Sequence, residues 1–172
     1  MERPELEADR LVEVLYRHEV RYVLIGGLAA IIHGSPFPTE DLDIAPETSR
    51  DNLARLSDAL RELGATICAS EVEGPLPFNH NADSLADASV WNLVTSHGGL
   101  DLSMTPAGTR GYSDLVRDAG EATIGGVVVT VASLADVIRS KQAANRNKDL
   151  RVLPVLREIL ARRLHERSEQ DG

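Results

Sequence analysis

The segment Tyr22-Val-Leu-Ile-Gly-Gly-Leu-Ala-Ala-Ile-Ile-His-Gly-Ser-Pro-Phe-Pro-Thr-Glu-Asp-Leu-Asp-Ile44 constrains this chain more than any other. An apolar strand, Tyr22–Ile25, stops at Gly26-Gly27. A short apolar helix to His33 and a Gly34–Pro38 loop lead to a second strand, Asp41–Ala45. Residues two apart in a strand point the same way at a separation of roughly 7 Å, so Asp41 and Asp43 share one face while Leu42 and Ile44 pack on the other. Missing Cβ atoms at Gly26 and Gly27 let backbone N–H groups approach phosphate, and Ser35 and Thr39 add hydroxyls nearby. Hard oxygen ligands beside a glycine turn are what Mg²⁺ and a triphosphate require together. Nucleotidyl transfer commonly uses two such ions, about 4 Å apart, to align the leaving pyrophosphate and activate a hydroxyl.

The remaining pattern alternates strands and helices. Leu6, Leu11, Val14 and Leu15 predict an opening helix over about 4–20, and Thr48 or Ser49 caps a helix to about Leu63. Ala65–Ala69 is strand-like, Glu71–Ala88 reads as a long loop, and Ser89–Thr95 with Leu100–Met104 form a hairpin around His97-Gly98-Gly99. Tyr112–Ala119 suits a short helix, and Ala122–Ile124 with Val127–Val131 make a second hairpin at Gly125-Gly126. Ser133 caps a helix through about Asn145, and a last helix runs from Asp149 to about Glu166 with Pro154 near its first turn. At 172 residues and 42% hydrophobic content, these elements fit one structural domain. Residues 1–132 form the expected catalytic core, with 133–172 as C-terminal helices packed on it.

Asp101 is the third acid that the pattern offers, because it alternates with Leu100, Leu102 and Met104 and so faces away from the apolar set. Lys141, Asn145 and Lys148 recur at helical spacing and put two ammonium groups on one face, suited to phosphate. The five histidines do not cluster like metal ligands, and lone Cys68 lies in an apolar run that favours burial over chemistry. Trp91 and Tyr112 read as core anchors, and 3% aromatic content argues against base stacking on a single strand. Charge is uneven: residues 1–138 carry 9 Lys/Arg against 22 Asp/Glu, whereas 139–172 carry 9 against 5. An acidic body repels nucleic acid at long range, and the basic end offers a local phosphate footing. The opening residues lack an apolar leader core, and no run is long enough to span a bilayer, so a cytoplasmic location is expected.

Taken together, these residues resemble the nucleotidyltransferases of the DNA polymerase β superfamily. The narrower likeness is to the AbiEii/MenT-type toxin nucleotidyltransferases and their small relatives. It is carried by Ile25-Gly-Gly-Leu-Ala-Ala-Ile-Ile-His-Gly34, Thr39-Glu-Asp-Leu-Asp-Ile44, Trp91-Asn-Leu-Val-Thr-Ser-His-Gly-Gly-Leu-Asp-Leu102 and Ser140-Lys-Gln-Ala-Ala-Asn-Arg-Asn-Lys-Asp-Leu150. The resemblance implies an α/β (α+β) polymerase-β-like fold, a mixed central sheet flanked by helices. It implies that Asp41, Asp43 and Asp101 bind two Mg²⁺ ions. Gly26, Gly27, Ser35, Thr39, Lys141 and Lys148 would hold the NTP, Lys141 supporting its triphosphate. Two departures stand out. Gly27 occupies a position that is often serine, and Phe37 between two prolines stands where many relatives have arginine.

The expected activity is therefore Mg²⁺-dependent transfer of NMP from an NTP to an acceptor hydroxyl with release of pyrophosphate. The resemblance points to the tRNA 3′ end as acceptor and to a neutralising antitoxin protein as partner. The alternatives are a protein or small-molecule acceptor, or a non-catalytic antitoxin-like module that keeps the acids. A phosphatase of the other Asp-x-Asp class is excluded, because it needs a buried apolar strand immediately before the first Asp, where Pro36-Phe-Pro-Thr-Glu40 lies.

Overall fold

Leu42, Ile44, Leu100 and Leu102 are wholly inaccessible to solvent, and this shared burial fixes the registration of the two strands that carry the acids. Each such side chain contributes about 2 kcal/mol relative to exposure, and a slip of one residue would turn all of them outward. The computed structural model describes residues 3–68 and 78–172. Its helices are α1 (Ala8–Arg17), α2 (Gly26–Ile32), α3 (Arg50–Glu62), α4 (Ala82–Ala86), α5 (Tyr112–Leu115), α6 (Leu134–Ala144) and α7 (Asn147–Gln170). Its strands are β1 (Tyr22–Ile25), β2 (Asp41–Pro46), β3 (Thr66–Ile67), β4 (Val90–Thr95), β5 (Gly98–Ser103), β6 (Gly120–Ile124) and β7 (Val127–Val131).

The seven strands form one mixed sheet in the order β3-β4-β5-β2-β1-β7-β6. The β2–β5 and β1–β7 pairs are parallel, and the others antiparallel. α1 packs with α3 and reaches β6 and β7, whereas α2 lies on β1 and β2 and against α6, which in turn carries α7. Buried Asn52 clamps the far end of the β1–β2 pair. Its amide donates to the Arg21 and Glu47 carbonyls at 2.9 and 2.7 Å, and its oxygen accepts the Arg21 N–H at 2.8 Å. Among the described residues, no helix is long and apolar enough to cross a membrane.

Several boundaries depart from the sequence expectation for identifiable reasons. α2 starts at Gly26 itself, so the two glycines form its first turn. The β4–β5 turn is Ser96-His97, and Gly98 and Gly99 belong to β5, where Gly98 pairs with Thr95. A short helix, α4, forms inside the expected 71–88 loop because Asn81 and Ser84 cap it reciprocally at 2.9 Å, and residues 71–77 of that loop, like Ala69 at the end of the expected strand, lie outside the described residues. Asn145 takes a left-handed conformation, φ 51°, and breaks the chain between α6 and α7, so Lys141, Asn145 and Lys148 do not share one helical face. Pro154 sits inside α7, which begins at Asn147, and not in its first turn.

α7 is tied to α2 through one imidazole. His33 Nε2 lies 2.8 Å from the Ala132 carbonyl, its Nδ1 lies 3.1 Å from Arg163 Nη1, and Arg163 Nη2 donates to the His33 carbonyl at 3.1 Å. The neutral ring satisfies both contacts, donating from Nε2 and accepting at Nδ1. Burial lowers the His33 pKa, and Arg163 lowers it further against the opposing pull of the Ala132 carbonyl. The unfolded chain therefore takes up this proton first, below about pH 6.5, and the fold loses stability as pH falls from there toward the folded-state value. Urea midpoints measured from pH 7.5 to 5 should fall more steeply for the native chain than for His33→Gln. Parallel curves would show that His33 does not contribute.

Candidate active site

β2 and β5 run parallel with Asp43 opposite Asp101 and Asp41 opposite Gly99, so the three acids project from one face of adjacent strands about 4.8 Å apart. Asn92 of β4 continues the row beside Asp101, and β1 ends opposite Asp43 at Ile25, where the glycine turn begins. Two glycines make room for the carboxylates. A Cβ on Gly26, whose φ is +69°, would overlap the Asp43 carboxylate, and one on Gly99 would overlap that of Asp41. Gly27 has a similar role toward Thr39, whose Oγ1 would lie 2.8 Å from an added Cβ and which donates to the Asp41 carbonyl at 3.2 Å. Ser35 is buried, and its hydroxyl accepts the Phe37 N–H at 3.3 Å. The three acids, Asn92, Gly26, Gly27, Ser35 and Thr39 line a cleft of about 690 Å³ whose opposite wall comes from α6 and α7, including Lys141, Arg146, Lys148 and Arg151.

That wall is organised by a carboxylate with no solvent exposure. Asp149 accepts from Arg146 through Nε at 2.7 Å, Nη2 at 3.2 Å and the backbone N–H at 3.1 Å, and lies 3.6 Å from Lys141 Nζ. Burial raises the Asp149 pKa, but the Arg146 hydrogen bonds and the two cationic charges outweigh it and hold the carboxyl below its usual range. Burial also lowers the Lys141 pKa, while Asp149 and Asp43 oppose that shift. Lys141 and Lys148 thus reach the same cleft from two helices that meet at a bend. The resemblance marked Asp149 through the Lys148-Asp149 pair, as structural or nucleotide-supporting, and Arg146 belonged to the basic end, but the pairing of Asp149 with Arg146 and Lys141 was not read from the sequence. The available signal was an Asp three residues into a helix, where it returns to its own first turn.

Electrostatically, the acids oppose one another. Burial raises the Asp101 pKa to about 7, helped by Asp43 and Asp41, and burial likewise raises that of Asp43. Asp41 is instead paired with Arg3, whose Nη1 donates to Oδ1 at 3.1 Å while Nη2 donates to Cys68 Sγ at 2.8 Å. Arg3 carried no sequence signal, because it reaches the site only through tertiary packing. Among the described residues, no three His, Cys, Asp or Glu side chains converge as a finished metal shell. The donor set nevertheless fits divalent cations: hard carboxylate oxygens on adjacent strands, like charges in partial burial, and glycine gaps that keep them clear of backbone.

No protein-family model matches the chain, and no curated protein matches it in sequence. Solved structures do match in fold. The lincosamide antibiotic adenylyltransferase LnuA, determined with lincomycin bound, superposes with a TM-score of 0.60 at 14% identity, covering 91% of this chain and 99% of that one. The antibiotic-resistance factor ANT(2'')-Ia gives 0.55 at 14% identity over 94% and 90%. TM1012 of Thermotoga maritima, a nucleotidyltransferase by assignment only, gives 0.50 at 16% identity over 89% of each chain. At such identities the likeness is one of fold. The chain has the mixed α/β nucleotidyltransferase fold that its motifs led us to expect.

The acid cluster makes a prediction for the metal-free protein. A carboxyl whose folded pKa is raised costs stability as pH climbs from its unfolded value, near 4, to its folded value, near 7 for Asp101, and the full cost remains above that. Asp101→Asn should therefore raise the melting temperature more at pH 8 than at pH 5 in the presence of a chelator. A loss of stability at pH 8 would refute the arrangement of opposed charges.

Proposed function

We propose that this chain is a divalent-cation-dependent nucleotidyltransferase that moves NMP from an NTP to an acceptor hydroxyl. The observation that carries this reading is the register of Asp43 against Asp101, with Asp41 beside them, across one cleft from Lys141 and Lys148. In this reading the three acids hold the cations, which when bound would neutralise the triphosphate and lower the pKa of the acceptor hydroxyl. The first turn of α2 presents backbone at Gly26 and Gly27 to phosphate, and Thr39 braces the strand that leads into Asp41. Lys141, oriented by Asp149, offers its ammonium to the leaving pyrophosphate, and Lys148 enters from the first turn of α7. Asp101, adjacent to Asn92 on the acceptor side of the row, is the group placed to take the hydroxyl proton.

For the acceptor we retain the tRNA 3′ end, with an antitoxin protein as partner, on the strength of the AbiEii/MenT-like motifs. A small-molecule hydroxyl is the second reading. It is favoured by the LnuA neighbour with its lincomycin and by the fate of the basic segment. Arg139 is paired with Asp114 and Asp136, Lys141 and Arg146 with Asp149, Arg162 with Glu158, and Arg163 is bonded to His33, which reduces the charge available to a polyanion.

The test is label transfer from each α-labelled NTP, with Mg²⁺, to total tRNA, to co-purified protein and to a panel of hydroxyl-bearing antibiotics. Transfer should fall about a hundredfold or more in Asp41→Asn and Asp43→Asn. Label on tRNA supports the toxin-like reading, and label on an antibiotic supports the second. Absence of transfer to every acceptor, with no thermal stabilisation by Mg²⁺-NTP, would favour a non-catalytic module. Asp149→Asn should raise KM for the NTP roughly tenfold while the metal sites remain loaded, because Lys141 and Arg146 lose their common anchor. An unchanged KM would remove Asp149 from the phosphate side.

A further inference from the structure

The N-terminal segment is tied down along the β4–β5 turn in a way that delivers Arg3 to the acids. The Glu7 N–H donates to the His97 carbonyl at 2.9 Å, and Glu7 Oε1 lies 3.0 Å from His97 Nδ1. Gly98, with φ +104°, admits the segment at close range, since a Cβ there would lie 2.8 Å from Leu6 Cα. Leu6 itself packs against the core. Beyond this anchor Arg3 reaches Asp41 with one arm of its guanidinium and Cys68 with the other. The Arg3 side chain is 45% exposed and that of Asp41 28%, so the pair is open to exchange with solvent.

From this geometry we propose that Arg3 is a tethered competitor for the divalent cation at Asp41, and that loading the site requires the strap's guanidinium to withdraw. This rests on the nucleotidyltransferase reading of the three acids. A unit positive charge a few ångströms from a carboxylate repels an incoming dication and occupies one of its ligand oxygens. Its reach is fixed by the Glu7–His97 anchor, so it competes at high effective concentration and needs no partner. The contact with Cys68 gives the other arm of the guanidinium a partner, and withdrawal breaks both bonds together. The strap thus raises the cation concentration at which the site fills and gives the metal-free Asp41 a counter-charge.

The test is Mn²⁺ binding to the full chain without nucleotide, followed by electron paramagnetic resonance. Arg3→Ala and Arg3→Gln should each bind Mn²⁺ roughly five- to twentyfold more tightly than the native chain. Glu7→Ala, which loosens the strap without touching the acids, should shift binding in the same direction by less. Asp41→Asn should lose the tight site in every background. The glutamine variant keeps polar contacts to Asp41 and Cys68, so it reports on charge if the alanine variant does not fold. Equal or weaker Mn²⁺ binding in the folded Arg3 variants, with binding still dependent on Asp41, overturns the strap alone. Binding that survives Asp41→Asn, or no binding in any variant, overturns the metal reading and the strap with it.

Discussion

The mutual repulsion of Asp41, Asp43 and Asp101 is the constraint around which this structure is arranged. Three carboxyls on one face of two adjacent strands are unfavourable, and burial makes them more so, as the raised pKa values of Asp43 and Asp101 record. They are held there by the opposite face of the same strands, where Leu42, Ile44, Leu100 and Leu102 are completely buried. An apolar contribution of about 2 kcal/mol from each of four side chains holds the strand pair in this register against the repulsion. The glycines belong to the same balance. Gly26 and Gly99 lack side chains where the Asp43 and Asp41 carboxylates stand, so the acids avoid steric conflict with the backbone that presents them.

Across the cleft the problem is reversed, and one buried carboxylate solves it. Lys141 on α6 and Arg146 at the α6–α7 bend would repel each other, but Asp149 accepts from Arg146 and lies within ion-pair distance of Lys141. Because Asp149 is itself excluded from solvent, removing it leaves two partly desolvated cations without a common partner, a loss greater than that of a surface ion pair. The left-handed Asn145 makes this possible. A continuous helix would have carried Lys148 round on the same rod as Lys141, whereas the bend lets the second helix approach the cleft from its own first turn.

What was legible in the sequence follows from how locally each feature is determined. Asp41 and Asp43 could be placed on one strand face because Leu42 and Ile44 alternate with them, and Asp101 was found in the same way from Leu100 and Leu102. The Gly26-Gly27 turn announced itself by following an apolar strand, though not that it is already helix. The bend at Asn145 was hidden, because Lys141, Asn145 and Lys148 keep helical spacing across it and only tertiary packing selects the left-handed residue. α4 was masked by the Gly, Pro and Asn around it, although Asn81 and Ser84 carried a capping pattern. Arg3 was beyond reach, being 38 residues from Asp41 and joined to it by a strap whose position depends on Gly98 and His97.

The division between acids and cations also bears on what the fold leaves undetermined. The row Asp43–Asp101–Asn92–Cys68 runs from the glycine turn toward the sheet edge at β3, so the acids lie at one end and uncharged polar groups at the other. The neighbours share this scaffold at only 14–16% identity, so the fold sets the frame of the row without setting which side chains fill its far end. In this chain the edge carries an amide at Asn92, a hydroxyl at Ser103, an exposed Val90 and the guanidinium of Arg3. In the proposed reading these few groups beyond the third acid are the ones an acceptor would meet, and the N-terminal strap, bonded at once to Asp41 and Cys68, lies beside them.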